Sequence, residues 1–406
     1  MTNRRSKGDV VRAITLHQRR RRLVARHRLA GDAADPGQVV RALVALHATD
    51  PASVYLSVLA RSRSSTLDDV ARAMYESRTL VRWMAMRRTL FVVARDDVPV
   101  VHAAAGITVA RALRTQLMNR VNRAGTEPAI TQDAALWLSD VGDAAVEALR
   151  VRGSATGTQL GADEPRLRTT IRPRTPSETA QNLTTSLLTV LGAEGRIVRG
   201  DPVGAWTSRL HRWEPIESRW PVGLPFVDQD DARRTLARRW LERFGPATID
   251  DLQWWTGWSK TVTAQALTGL AVEEVDLHGR PGIALADDDV GDPDDAPPVA
   301  ALLPALDPTP MGWKHRDWLF DMDPRQVFDR SGNIGPTVWW DGRIIGSWAV
   351  VPSGEIRTAL VADHGAAAQH AVRTAAASLH TRLDGSVVTP AVRTPLERTL
   401  SRGSSN

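Results

Sequence analysis

The stretch from Asp231 to Ala286 leaves the least freedom to the fold. Leu236, Trp240, Leu241 and Phe244 recur at helical spacing and make one apolar stripe over Asp231–Phe244, which Gly245-Pro246 ends. Thr248 is placed to cap a second helix containing Leu252 and Trp255. Gly257-Trp258-Ser259 then turns the chain, and Ser259 caps a third helix from Lys260 to Leu270. Val272–Leu277 and Gly282–Ala286 flank His278-Gly279-Arg280-Pro281 as a two-stranded hairpin. Helices joined by a short glycine turn and followed by a hairpin form the winged-helix arrangement.

The same order of elements recurs upstream. A helix is expected from Asp9, with Val11, Ile14, Leu16 and Leu23 apolar, ending at Gly31. Asp35-Pro36 caps and starts the next helix, and Asp68–Ser77 is another with acids in its first turn. Leu80–Met84 and Thr89–Ala94 read as a hairpin with Met86-Arg87-Arg88 in the turn. A further copy follows: helices over Pro99–Asn122, Thr131–Leu149 (Thr131 as N-cap), Ser154–Leu160 and Thr179–Val190, then a second hairpin starting at Arg196–Gly200. Trp206–Trp220 reads as a linker.

Asp287–Pro298 is a polar, proline-rich linker, and residues 1–8 read as a disordered tail. Beyond the linker, strands are expected at Val299–Leu303, Gln326–Phe328, Thr337–Trp340, Arg343–Val350 and Glu355–Val361, with Asp341-Gly342 in a tight hairpin. So many short strands suggest a small β-barrel, followed by an alanine-rich helix over Gly365–Leu383. The expected class is α+β: winged-helix segments over residues 9–125, 126–227 and 228–290, a barrel over 298–362, and a C-terminal helix and tail over 363–406.

Several function classes are excluded. The chain has no cysteine, so disulfides, thiolate metal sites and cysteine nucleophiles are absent. His102, His211 and His315 are isolated, and none stands at metal-ligand spacing; no metal is expected. No nucleotide-binding motif occurs, so neither a cofactor nor ATP-driven chemistry is expected. No apolar run approaches the ~18 residues that cross a bilayer, so a cytoplasmic, nucleoid-associated protein with no membrane partner is expected.

Charge gives direction. The formal net charge is +6, nearly all of the positive charge being arginine, with lysine only at positions 7, 260 and 314. From Asp228 to Val299 there are 15 acidic and 7 basic residues, so the remainder of the chain is strongly basic. Such asymmetry points to a polyanion partner for the basic part. The candidate contacts are Arg19, Arg20, Arg21 and Arg22, a run too charged to pack and expected to face water or phosphate, together with Arg82, Arg87 and Arg88 of the first hairpin.

Between these basic elements the helical pattern of Val39–Leu46 breaks at His47-Ala48-Thr49-Asp50-Pro51. The break gathers an imidazole, a hydroxyl and a carboxylate. Asp50 is suited to act as a base and to supply negative potential, Thr49 to hold a water, and a neutral His47 to accept a proton. For His47 a structural or phosphate-contacting role stands beside the catalytic one. Asp before Pro is also a common helix cap, and both readings of Asp50 stand.

The chain resembles the bacterial winged-helix family that includes DNA glycosylases acting on bulky alkylated bases and interstrand crosslinks. The resemblance covers about Val10 to Leu400. It rests on VVRALVALHATDPASVYLSVLAR, LVRWMAMRRTLFVVARDDVP, RRWLERFGPATIDDLQWWTGW, ALLPALDPTPMGWKHRDW and RSGNIGPTVWWDGRIIGSWA. It implies three tandem winged helices around a small barrel and a concave basic channel for damaged duplex DNA. It also implies excision of bulky or cationic alkylpurines or unhooking of crosslinks. The family's glycosylases carry Gln-x-Gln or Gln-x-Asp where this chain has His47-Ala48-Thr49, so His47, Thr49 and Asp50 are the candidate catalytic groups. The alternative is a winged-helix DNA binder or transcriptional regulator without catalysis.

Overall fold

The computed structural model describes residues 11–173, 175, 178–288 and 296–402. The tail expected at residues 1–8 and residues 289–295 of the expected linker lie outside the described residues. The fold is α+β, and the chain separates into two compact units. One comprises the residues up to Val44, Leu56–Leu67 and everything from Arg234 onward; the other comprises Ala45–Tyr55 and Asp68–Arg233. No helix among the described residues is long and apolar enough to cross a membrane.

In the first of these units, local signals set the helix starts. Thr15 Oγ1 accepts from the Gln18 amide at 3.1 Å while Gln18 Oε1 accepts from the Thr15 amide at 3.0 Å, a reciprocal cap for helix Leu16–Arg26. Asp35 Oδ1 accepts from the Gln38 amide at 2.9 Å and so caps helix Pro36–Ala42. Thr248 caps Ile249–Thr256, Gly257 ends it in the left-handed region at φ 74°, and Ser259 caps Lys260–Leu267. Strands Val272–Asp276 and Pro281–Leu285 pair antiparallel behind these helices, and Arg12–Ala13 adds a parallel strand that the sequence did not announce. Stacked aromatics fill the core: Trp240 on Phe244, and Phe244 against Trp313, which meets Trp318 edge-on.

The expected barrel is not closed. Ala300–Leu303, Thr337–Trp340, Arg343–Val350 and Ile356–Leu360 form an open four-stranded antiparallel sheet in that order. The missing strand has a local cause. Asp323 Oδ1 accepts from the Arg325 amide at 3.0 Å, and Pro324–Gln326 winds into a 3-10 turn, leaving Phe328 with one isolated bridge to Ile334. Asp341 and Gly342, at φ 46° and 77°, make the tight turn expected of Asp-Gly. Helix Gly365–Leu383 forms as expected, and a further helix, Pro395–Arg402, follows it.

The arginine run is the main correction in this unit. Arg19, Arg21, Arg22 and Arg26 are buried, not turned to water or phosphate. Arg19 lies over the Trp318 ring at 4.0 Å, and burial lowers its pKa to about 10. Arg20 donates to the Trp318 carbonyl at 2.6 and 3.1 Å, Arg21 pairs with Asp341 at 2.8 Å, and Arg26 pairs with Asp288. A guanidinium is weakly hydrated and stacks on aromatic rings, so it packs where an ammonium would not. Nearby, Arg61 and Asp307 form a fully buried pair at 2.7 Å that also engages Ser57 and Thr309. His27, against Thr309 Oγ1 at 2.9 Å, is held neutral by burial and by Arg61.

The other unit holds two hairpins. Leu80–Met84 and Leu90–Ala94 pair as expected, and Leu46–His47 adds a third strand beside Leu90–Ala94. Ile197–Pro202 pairs with His211–Pro215, so part of the presumed linker Trp206–Trp220 is a strand. Helices Ala134–Arg152, Gly157–Asp163 and Leu183–Ala193 bury Leu138, Val141, Leu187 and Leu191. The first of these is capped by Asp133, whose carboxylate reaches the Ala135 and Leu136 amides, and not by Thr131.

Candidate functional site

The break at His47–Pro51 is fixed by two neighbours. On one side the Ala48 amide donates to the Leu90 carbonyl at 2.8 Å, extending the pairing of Leu46–His47 with the hairpin. On the other, Pro51 starts helix Pro51–Leu59. The three polar residues therefore leave the end of a sheet and enter a helix, and each has a different setting.

His47 is half-buried with its ring edge-on to Phe91, and its Nδ1 is buried with no hydrogen-bond partner. Burial, and then Arg87, lower its pKa to about 4, so the imidazole is neutral at pH 7. Asp50 is buried, with Ser53 Oγ at 3.5 Å from its carboxylate and the Ser53 amide on its carbonyl at 3.1 Å. Thr49 is exposed.

Thr49 opens into a cavity of about 320 Å³ that His47 and Asp50 do not line. Its other polar walls are Arg82, Arg88, Arg199, Arg209 and His211. Arg82, on the first hairpin, is buried and donates from Nη2 to the Gly200 carbonyl at 2.6 Å. Arg199, on the second, lies over the Trp213 ring at 4.6 Å; burial, then Arg82, push its pKa down to about 9. His211 directs Nδ1 at the Arg209 carbonyl at 3.2 Å, while burial and the neighbouring Arg199 and Arg82 lower its pKa to about 4.

Of the basic residues picked out in the sequence, Arg82 and Arg88 line this cavity and Arg87 does not. Arg87 and Arg88 occupy the hairpin turn in the left-handed region, at φ 52° and 59°, and Arg88 also donates to Gln116. Arg19, Arg20, Arg21 and Arg22 belong to the other unit and are engaged inside it. Among the described residues no cluster of His, Asp or Glu fit to hold a metal occurs.

A profile of DNA glycosylase AlkZ-like proteins matches residues 40–382. The chain belongs to the AlkZ-like DNA glycosylase family. DNA is the substrate of that family's chemistry, and the His47–Asp50 break falls inside the matched region. Among solved structures, Streptomyces sahachiroi DNA glycosylase AlkZ has a similar fold, with a TM-score of 0.69 and 20% identity over 93% of this chain and 99% of that one. No curated protein matches the chain. Within this AlkZ-like chain, sequence reasoning missed Arg199, Arg209 and His211. The sequence held only the recurrence of basic residues in RIVRG and RLHRW; their pairing across one hairpin, with Arg199 opposite Trp213, comes from the structure.

Proposed function

We propose that this AlkZ-like protein binds damaged duplex DNA and hydrolyses the N-glycosidic bond of a bulky or cationic alkylated purine, or unhooks a crosslink through such a base. The observation that carries the reading is Thr49, the exposed member of the polar break, opening into an arginine-lined cavity. We read the helix-plus-hairpin segments as winged helices, with Met86–Arg88 as a wing on the DNA backbone. N3 or N7 alkylation makes the base a good leaving group. The protein then needs a held water and negative potential near C1′ of the sugar. Thr49 holds the water, Asp50 supplies the potential and takes the proton, and neutral His47 leaves that potential unopposed.

The test incubates the protein with duplexes carrying N7-alkylguanine or N3-alkyladenine and measures free base. Asp50→Asn keeps a capping side chain and removes the charge; base release should fall by about 10²-fold or more while DNA affinity persists. The second reading, a lesion binder without hydrolysis, draws on the burial of Asp50 and on a cavity lined by no carboxylate. Tight binding with no base release at stoichiometric protein would select it.

A further inference from the structure

We propose that Arg82, Arg199 and Arg209 form a seat for one backbone phosphodiester of the bound strand, beside the nucleotide whose sugar faces Thr49. The proposal rests on the DNA-glycosylase reading above and adds to it a specific contact.

The first argument is charge. Four guanidiniums, those of Arg82, Arg88, Arg199 and Arg209, line one cavity of about 320 Å³. Among the described residues no carboxylate pairs with any of them: Arg82 has the Gly200 carbonyl and the Tyr75 ring, and Arg199 has the Trp213 ring. Two other buried arginines in this chain have carboxylate partners, Arg61 with Asp307 and Arg219 with Glu214, whereas Arg19 lies on the Trp318 ring. Gathering like charges without a counter-ion is unfavourable, and an anion from outside relieves it.

The second argument is order. Arg82 is only 5% exposed, and its Nε is buried with no partner. Its Nη2 is tied to the Gly200 carbonyl, which fixes the direction of the remaining donors. Arg199 lies over the Trp213 ring at 4.6 Å, and Gly192 leaves room for that ring: a Cβ there would stand 2.9 Å from it. A guanidinium restrained before binding loses little freedom on meeting its ligand, and its fork matches two phosphate oxygens.

The third argument is access. Arg209 is exposed at the rim and carries no side-chain partner among the described residues, so it is free to swing over an entering phosphate. Met84 and Leu90 supply apolar wall between the charged groups, which lowers the local polarity and strengthens each contact.

The experiment measures binding by fluorescence anisotropy, using a duplex with a tetrahydrofuran abasic analogue. Single methylphosphonates, which neutralise one phosphate, are placed in turn at each position from two nucleotides 5′ to two nucleotides 3′ of it. One position should weaken wild-type binding by about tenfold. At that position Arg209→Ala and Arg199→Ala should add no further loss, whereas at the others the losses should multiply. Arg209→Ala, altering an exposed side chain, tests the seat without touching the core; Arg199→Lys keeps the charge but loses the fork and should recover only part of the affinity. Arg209→Ala should also reduce the salt slope by about 0.9.

Independent losses at every position would overturn the proposal, as would absence of duplex binding. Competition by inorganic phosphate or a 5′-phosphorylated dinucleotide that matches the unmodified duplex would also overturn it, because the seat would then take a free phosphate group. Base release measured in parallel separates the two readings. Release without coupling removes the seat and leaves the enzyme; coupling without release leaves the seat and removes the hydrolysis.

Discussion

Replacing Asp307 with alanine tests how the first unit tolerates a charge with no counter-ion. Asp307 accepts from Arg61 Nη1 at 2.8 Å and Nη2 at 2.7 Å, from Ser57 Oγ at 2.8 Å and from the Thr309 amide at 2.9 Å, and neither member of the ion pair is exposed. The guanidinium would keep three other acceptors: the His27 carbonyl at 2.9 Å, the Ser57 carbonyl at 3.0 Å and Thr309 Oγ1 at 2.7 Å. Its hydrogen bonding therefore largely survives, and the lost term is charge compensation in a water-free site. Breaking one partner of such a pair costs about 3–5 kcal/mol. With an m-value of about 3 kcal/mol/M in urea, the midpoint of this unit should fall by about 1–1.7 M. Circular dichroism and tryptophan fluorescence follow it, since Trp313 and Trp240 sit in the same unit. The double variant Arg61→Met, Asp307→Leu removes both charges and should recover most of the loss. A single variant within about 1 kcal/mol of wild type, or a double variant worse than the single, would refute the reasoning.

Acid should destabilise the protein early. His27, His47, His102 and His211 all have pKa values lowered by burial, the last three to about 4. The unfolded chain then binds more protons than the folded one below the ordinary histidine value of about 6.5, so stability falls as pH drops from there toward 4; urea midpoints at pH 7.5 and pH 5 should differ in that direction. Gly346→Ala should cost about 3 kcal/mol, because its Cβ would stand 1.9 Å from the Ala359 carbonyl oxygen across the sheet; an unchanged thermal midpoint would contradict this. Arg88→Glu, at an exposed turn position, should leave stability within about 0.5 kcal/mol yet weaken duplex binding for all sequences alike, which a salt titration reads directly.

What the sequence disclosed was local. The helices from Pro36, Ile249 and Lys260 start at the expected caps, because Asp35, Thr248 and Ser259 act within three residues of themselves, whereas the helix expected from Asp9 starts at Leu16, after Arg12–Ala13 has paired as a strand. The Asp341-Gly342 turn was legible for the same reason. The misreadings were of pairings across long distances in the chain. The run Arg19–Arg22 looks solvated until Trp318 and Asp341 are known to meet it. His211–Pro215 shows no alternation of its own and is a strand because Ile197–Pro202 pairs with it. The fifth strand of the barrel was lost to a competing local signal, Asp323-Pro324. At the site, Pro51 made the break visible, but that Thr49 would share a cavity with Arg199, Arg209 and His211 depended on the second hairpin.

The interleaving of the two units sets an order of birth. Everything belonging to the unit that holds Thr49 has been synthesised once Arg233 is added, whereas the other unit must wait for the residues from Arg234 onward. At ~5–20 residues per second, that wait is on the order of ten to thirty seconds. During it, the arginines of Leu16–Arg26 are already synthesised, and the Trp318 and Asp341 groups that will cover them do not yet exist. The nascent chain thus carries a temporary polycation beside messenger and ribosomal RNA, which the completed chain then withdraws into its interior.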